Sequence, residues 1–360
     1  MSRVQGFRMV IPRKGGPEVF REEAFVVPDP GPGEVLIEVR AAGVNFADVL
    51  ARKGLYRDAP PFPCTVGYEV AGEVMAVGWP SAGKRSDEPA DEDNPGVFPG
   101  DRVMALTRFG GYASHVCVPA EQCFAIPHGK TYTDAAALLV QYFTAGLATE
   151  YFGNVQEGDR VLVHNAGGGV GIAAAQLVRA RAGYLAGTAS AWKHAALRSL
   201  GYDALIDYRS VDVDDALRGL PLDRPGFDLI LNPLGGKALA QDMKRLRPGG
   251  RVMAYGVSGR ARGGGGNLLG MIRTVLQMPR IHPVALMGGT NTVGGLNLGK
   301  LWTELDRFRP YARTVVERFG DGSLSPLIHA VYPLRRAGEA QAILEERKNL
   351  GKVILATEPA

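Results

Sequence analysis

The chain has 360 residues, 46% hydrophobic and 22% charged, with 48 glycines and 24 prolines but no Gly-x-y period; this excludes a wholly disordered chain and collagen and suits two globular domains. The formal net charge is +4, with Lys and Arg scattered apart from short runs such as Arg260–Arg262 and Arg335–Arg336, which argues against nucleic acid as a partner. Cys64, Cys117 and Cys123 are odd in number and form no Cys-x-x-Cys pair, so neither a disulfide framework nor a cysteine metal pair is expected.

From Phe7 to Pro127 the chain reads as short strands and turns. Pro30-Gly31-Pro32-Gly33-Glu34 turns into a strand Val35–Val39, and Val70–Gly78 and Arg102–Leu106 continue the pattern. Trp79–Pro99, rich in Asp, Glu, Pro and Gly, reads as a solvated loop. No apolar run follows the basic residues of Met1–Gly16, and the uncharged stretches Val161–Val178 and Ile281–Gly299 are broken by glycines and polar side chains. The expectation is a cytoplasmic protein with no signal peptide and no integral membrane segment.

Near Thr133, a candidate helix cap, the texture changes to alternating strands and helices. The strands are Arg160–His164, Tyr184–Gly187, Ala204–Ile206, Asp228–Asn232 and Arg251–Gly256; the helices are Ile172–Arg181, Trp192–Leu200 and Lys237–Leu246. Almost wholly apolar strands in this alternation imply a parallel sheet covered on both faces. After Gly263–Gly266 and an apolar segment to Met287, a helix Ala337–Arg347 and a strand Lys352–Leu355 close the chain. The expected organisation is a β-rich domain made of 1–137 and 296–360, interrupted by a dinucleotide-binding domain, 138–295.

The strongest local signal is His164-Asn165-Ala166-Gly167-Gly168-Gly169-Val170-Gly171, an A-x-G-x-x-G turn between a strand and a helix. Gly168, Gly169, Val170 and Gly171 would bring backbone N–H groups and a positive helix end to a pyrophosphate. An NAD-preferring site carries Asp or Glu at the end of the next strand. Here Gly187-Thr188-Ala189-Ser190 has no acid and Lys193 follows, so the expected cofactor is NADPH, whose 2′-phosphate is favoured by hydroxyls and a cation.

Ala41-Ala42-Gly43-Val44-Asn45-Phe46-Ala47-Asp48, Gly54-Leu55-Tyr56, Val66-Gly67-Tyr68-Glu69-Val70-Ala71-Gly72, Gly100-Asp101-Arg102-Val103, Gly111-Tyr112-Ala113 and Gly351-Lys352-Val353, together with the glycine turn, resemble the medium-chain dehydrogenase/reductases in order across nearly the whole chain. Ala135–Val140, Asp207-Tyr208 and Asn232-Pro233-Leu234-Gly235-Gly236 make the sequence similar to the quinone oxidoreductase branch, nearest the vesicle amine transport protein-like reductases. The resemblance implies an α/β fold: a Rossmann doubly wound parallel sheet beside a β-rich GroES-like domain, in a homodimer. Zinc members carry Cys where this sequence has Asn45 and His where it has Tyr68, so no metal is expected.

Without a Lewis acid, the natural hydride acceptors are those that delocalise their own developing charge, quinones and α,β-unsaturated carbonyl compounds. The resemblance points to the same class, with Asn45, Tyr56 and Tyr68 as candidate hydrogen-bond donors to the oxyanion, Tyr142 as a further one, and Asp48 fixing local geometry. It also implies that Thr144 backs the nicotinamide, that Ser190, Lys193 and Tyr208 surround the 2′-phosphate, and that Asn232 lies near a ribose. Gly256 and Val257 end a sheet strand where ligands sit; Asn297 and Asn349 complete the expected cofactor contacts. Two other readings are an enoyl-thioester reductase and an NADPH-binding structural or interaction protein with little turnover. Asn267–Met287 is expected to be dimer packing or core.

Overall fold

In the computed structural model the described residues are 4–78, 96–258, 270, 274–301 and 304–357. Most of the loop expected over Trp79–Pro99, the Gly263–Gly266 run, and Asn267, Met271 and Ile272 lie outside them. Contacts divide the chain into two units, Met1–Val140 with Gly299–Ala360, and Gln141–Leu298.

The first unit opens with a hairpin of β1 (Gln5–Val10) and β2 (Arg21–Val26), followed by β3 (Glu34–Val44), β4 (Glu69–Val77), β5 (Arg102–Leu106), β6 (His115–Pro119) and β7 (Cys123–Ala125). A short helix, Phe46–Arg52, leaves β3, and another, Tyr132–Ala136, follows β7. The cap of the latter is Thr131 rather than Thr133: its side chain accepts from Asp134 N at 3.1 Å while Asp134 accepts from Thr131 N. Asp134 stands three places after Thr131, the spacing a capping box requires.

The second unit is built on β8 (Arg160–His164), β9 (Tyr184–Thr188), β10 (Ala204–Ile206), β11 (Phe227–Asn232), β12 (Leu246–Ala254) and β13 (Thr292–Gly295). They form one parallel sheet in the order β10-β9-β8-β11-β12-β13. Numbered from its own first strand this is 3-2-1-4-5-6, the doubly wound dinucleotide-binding order. Val161, Leu162 and Val163 of β8 and Leu229, Ile230 and Leu231 of β11 are fully buried, because helices cover both faces of a parallel sheet. The helix after β8 runs Gly169–Val178, three residues earlier than its apolar pattern suggests, since the glycine turn itself forms the first helical turn.

The chain then returns to the first unit through the helix Leu305–Gly320, β14 (Ile328–Pro333), the helix Ala337–Glu345 and β15 (Lys352–Ala356). The main sheet there runs β14-β15-β3-β4-β5-β7, with β6 also on β3. Its core gathers Val35, Ile37 and Val39 of β3, Val70 and Val74 of β4, Val103, and Val353 and Leu355 of β15. Leu334, Ala337 and Ala340, at and beside the start of the returning helix, belong to the same core. Among the described residues no helix is long and apolar enough to cross a membrane.

Candidate active site

In the second unit, β8 and β11 lie side by side while the chain leaves them in opposite directions, the switch point at which doubly wound sheets bind ligands. Asn165 follows β8 with φ 55°, and Gly168 N donates to Asn165 O at 2.9 Å. That turn delivers Gly168 to the N-cap of the helix and leaves its first N–H groups without intrahelical acceptors. Each glycine makes room for a different neighbour. A Cβ at Gly167 would stand 2.5 Å from Lys193 Cδ, one at Gly168 2.7 Å from Asn165 Nδ2, one at Gly171 2.5 Å from Ala166 O, and one at Gly169 would overlap the Gln141 amide. The turn is thus an open backbone cradle with Lys193, Asn165 and Gln141 drawn against it, and it fits a dinucleotide pyrophosphate.

At the end of β9, Ser190 and Lys193 are buried and Ser190 Oγ donates to Tyr208 Oη at 3.1 Å. Lys193 Nζ lies 5.1 Å from the centre of the Trp192 ring, a cation–π contact that holds the ammonium beside the turn. Thr144 is buried in the helix Leu139–Gly146. Gly256 and Val257 follow β12 in a segment tied to the turn after β11: Tyr255 N donates to Asn232 O at 3.1 Å and Ser258 N to Pro233 O at 2.8 Å. Asn297 is exposed beyond β13. Asn349 belongs to the first unit, where its Nδ2 donates to Gly351 O at 2.8 Å.

Two further side chains have their polar groups engaged within the unit. Asn232 Oδ1 accepts from Leu234 N and Gly235 N, both at 2.8 Å, and its Nδ2 donates to Asp242 Oδ2 at 2.6 Å. Its amide therefore builds the Pro233-Leu234-Gly235 turn. Tyr142 donates to Gln176 Oε1 at 3.0 Å, and burial raises its pKa, so its proton is committed within the unit. Asp242 also meets His164 Nε2 at 3.0 Å and Arg245 at 2.7 Å.

In the first unit, Asn45 caps the helix Phe46–Arg52. Its backbone N–H donates to Asp48 Oδ2 at 2.8 Å. The completely buried Asp48 also accepts from Gly67 N at 3.0 Å and from the Tyr112 hydroxyl at 3.2 Å. Burial raises the Asp48 carboxyl to about 7, against those hydrogen bonds and the Lys352 charge. Tyr56 and Tyr68 meet edge to face with ring centres 6.0 Å apart, and their hydroxyls interact. Burial raises both phenols, so both keep their protons at neutral pH.

Asn45 was expected to donate to substrate, but its Nδ2 donates to Glu69 Oε1 at 3.0 Å and to Gly43 O at 3.3 Å, while its Oδ1 accepts from Lys352 Nζ at 2.7 Å. Lys352 and Glu69, an ion pair at 2.5 Å with side chains 1% exposed, complete the group. Neither was singled out from the sequence, though both stand inside motif words, Gly67-Tyr68-Glu69 and Gly351-Lys352-Val353. A zinc ion needs about four N, S or O ligands. Here an amide and a phenol replace thiolate and imidazole, and the one carboxylate already holds an ammonium, so these residues do not fit zinc. Among the described residues no group of three or more His, Cys, Asp or Glu is placed to hold a metal ion.

The alcohol dehydrogenase GroES-like domain matches residues 31–128 and the zinc-binding dehydrogenase domain residues 200–355. The human synaptic vesicle membrane protein VAT-1 homolog is 38% identical over 333 residues, covering 92% of this chain and 81% of that protein. The quinone oxidoreductase of Sus scrofa is 31% identical over 360 residues, 99% of this chain and 97% of its own. Among solved structures, mycobacterial Rv1454c complexed with NADPH superposes with a TM-score of 0.81 at 26% identity, over 98% of this chain and 99% of the other. With its GroES-like unit and 3-2-1-4-5-6 parallel sheet, the chain belongs to the medium-chain dehydrogenase/reductase family of NAD(P)-binding oxidoreductases, close to VAT-1 homologs and quinone oxidoreductases.

Proposed function

We propose that this protein is an NADPH-dependent reductase that delivers hydride to quinones or α,β-unsaturated carbonyl compounds without a metal. The observation that carries the cofactor choice is a strand end with no carboxylate, where Ser190 bonds Tyr208 and Lys193, three residues on, is buried. The NADPH complex of mycobacterial Rv1454c supports it. The donor set around Asn45, Tyr68 and Glu69 supports the metal-free part of the reading, and the likeness to the pig quinone oxidoreductase supports the acceptor class.

NADPH, when bound, supplies the hydride. The N–H groups of Gly168–Gly171 hold the pyrophosphate, and Ser190, Lys193 and Tyr208 hold the 2′-phosphate. Thr144, the turn fixed by Asn232, Gly256 and Val257, with Asn297 and Asn349, orient the remainder. In the first unit the neutral phenols of Tyr56 and Tyr68 offer hydrogen bonds to the acceptor oxygen as negative charge develops there. A neutral phenol suits this role because it stabilises an oxyanion without ionising. Asn45 serves by position, since its amide hydrogens are taken by Glu69 and Gly43. The working form is a homodimer.

The test is to mix purified protein with NADPH and follow the loss of its absorbance against quinones, enones and enoyl thioesters. Oxidation with quinones or enones is the expected result. Turnover confined to enoyl thioesters would move the substrate class, and tight NADPH binding with no oxidation by any acceptor would make this a binding protein.

A further inference from the structure

The group around Lys352 is costly by construction. Two ions at 1% side-chain exposure have lost nearly all their hydration, and such a pair is usually neutral or unfavourable for stability compared with uncharged side chains of the same shape. Yet the surroundings are built for it. Gly43 has no room for a Cβ, which would meet Ala136 O at 2.4 Å as well as Glu69 Oε1 at 2.6 Å and Lys352 Cε at 2.7 Å. Glu69 Oε2 accepts from Val140 N at 2.9 Å. One network therefore fastens four separate segments: the Asn45 cap, the first residue of β4 next to Tyr68, the first residue of β15, and the start of the helix Leu139–Gly146.

We propose that Lys352 and Glu69 are positioning residues for the reaction: the ammonium stands among the residues that replace the metal ligands of relatives, and the pair is kept to orient the Asn45 cap and the Tyr68 strand rather than to stabilise the fold. The proposal rests on the reductase reading above. A fixed cation pulls the Asn45 carbonyl oxygen and the Glu69 carboxylate onto one point. The Asn45 amide, the following helix and the Tyr68 hydroxyl then share one arrangement. Misplacement of reacting groups by about 1 Å is enough to cost roughly a hundredfold in rate.

The test is the double variant Glu69→Gln/Lys352→Met, which keeps the shape and removes both charges of the pair together, set beside the wild type. The expected result is a melting temperature equal to or above wild type, unchanged NADPH affinity, and a kcat ten- to a hundredfold lower with the best acceptor. Backbone hydrogen exchange should quicken in 45–52 and 67–70 but not in 165–171. A kcat within twofold of wild type, or unchanged exchange in those two segments, overturns the proposal. So does a large drop in melting temperature, which would show that the pair is kept for stability. If the wild type itself fails to oxidise NADPH with any of the acceptors, the reductase reading fails, and the exchange comparison still decides the positioning role.

Discussion

At the scale of single residues, the sharpest consequence falls on Lys193. A lysine that is 4% exposed and aligned along Gly167 is far from the solvated surface lysine that its sequence position could equally well have been. Its ammonium is held by the Trp192 ring, and Ser190, three residues before it, is hydrogen-bonded to Tyr208. A 2′-phosphate is a near-dianion, so reversing the charge at 193 removes a charge-assisted bond and adds repulsion, together roughly a hundredfold in affinity. Lys193→Glu is expected to raise the dissociation constant for NADPH by about that factor and for NADH by less than about fivefold, read by fluorescence titration. Equal losses for both would remove Lys193 from the 2′-phosphate site.

At the scale of elements, the helix Phe46–Arg52 has seven residues, too few to persist alone, and is pinned at both ends. Asp48 closes the capping box and reaches Gly67 N, while Arg52 bonds Gln341 Oε1 at 2.7 Å and Glu345 Oε2 at 2.6 Å. Burial raises the Asp48 carboxyl from its ordinary value of 3.8 to about 7, so the folded state favours the protonated form. The stability this contributes is complete below about pH 4 and is lost as pH rises through about 7, with an upper bound of about 4 kcal/mol. Relative to Asp48→Asn, the wild type should therefore lose melting temperature between pH 4 and pH 8. A difference that stays constant or grows over that range would show that Asp48 stays ionised and acts only as an acceptor. The elements themselves were legible to unequal degrees. Arg160–His164 and Ala204–Ile206 are strands where their sequence suggests, because strands covered on both faces are continuous apolar runs. The helix Leu305–Gly320 was missed, since Pro310 within it reads as a breaker. In the site, residue type revealed the glycine turn and brought Ser190, Lys193 and Tyr208 to notice. It could not reveal which polar groups are already engaged: Asn45 is held by a lysine 307 residues away, Tyr142 by Gln176 and Asn232 by Asp242.

At the scale of the whole molecule, the second unit leaves apolar surface uncovered. Asn267–Met287 was expected to be packing or core, and within its described part Val275, Ile281 and Val284 are exposed, with Leu276 80% and Met287 76% exposed. The same stretch leads through the helix Pro283–Gly289 to β13, whose outer edge pairs with no other strand among the described residues. An open parallel edge beside uncovered apolar side chains is an aggregation hazard unless something specific covers it. A second copy offering the same edge would pair both edges and bury both patches at once, which is the economy of a two-fold interface. Each large aliphatic side chain buried is worth roughly 1.5–3 kcal/mol, so a handful per copy suffices for an affinity of about micromolar or better. Sedimentation at micromolar concentration is therefore expected to give a dimer. Leu276→Glu/Met287→Glu, which places two unpaired charges in that surface, should weaken it roughly a hundredfold or more and give monomers, with the melting profile of the first unit unchanged. A wild type that sediments as a monomer, or a charged variant that remains dimeric, would mean that this surface is covered by something other than a second copy.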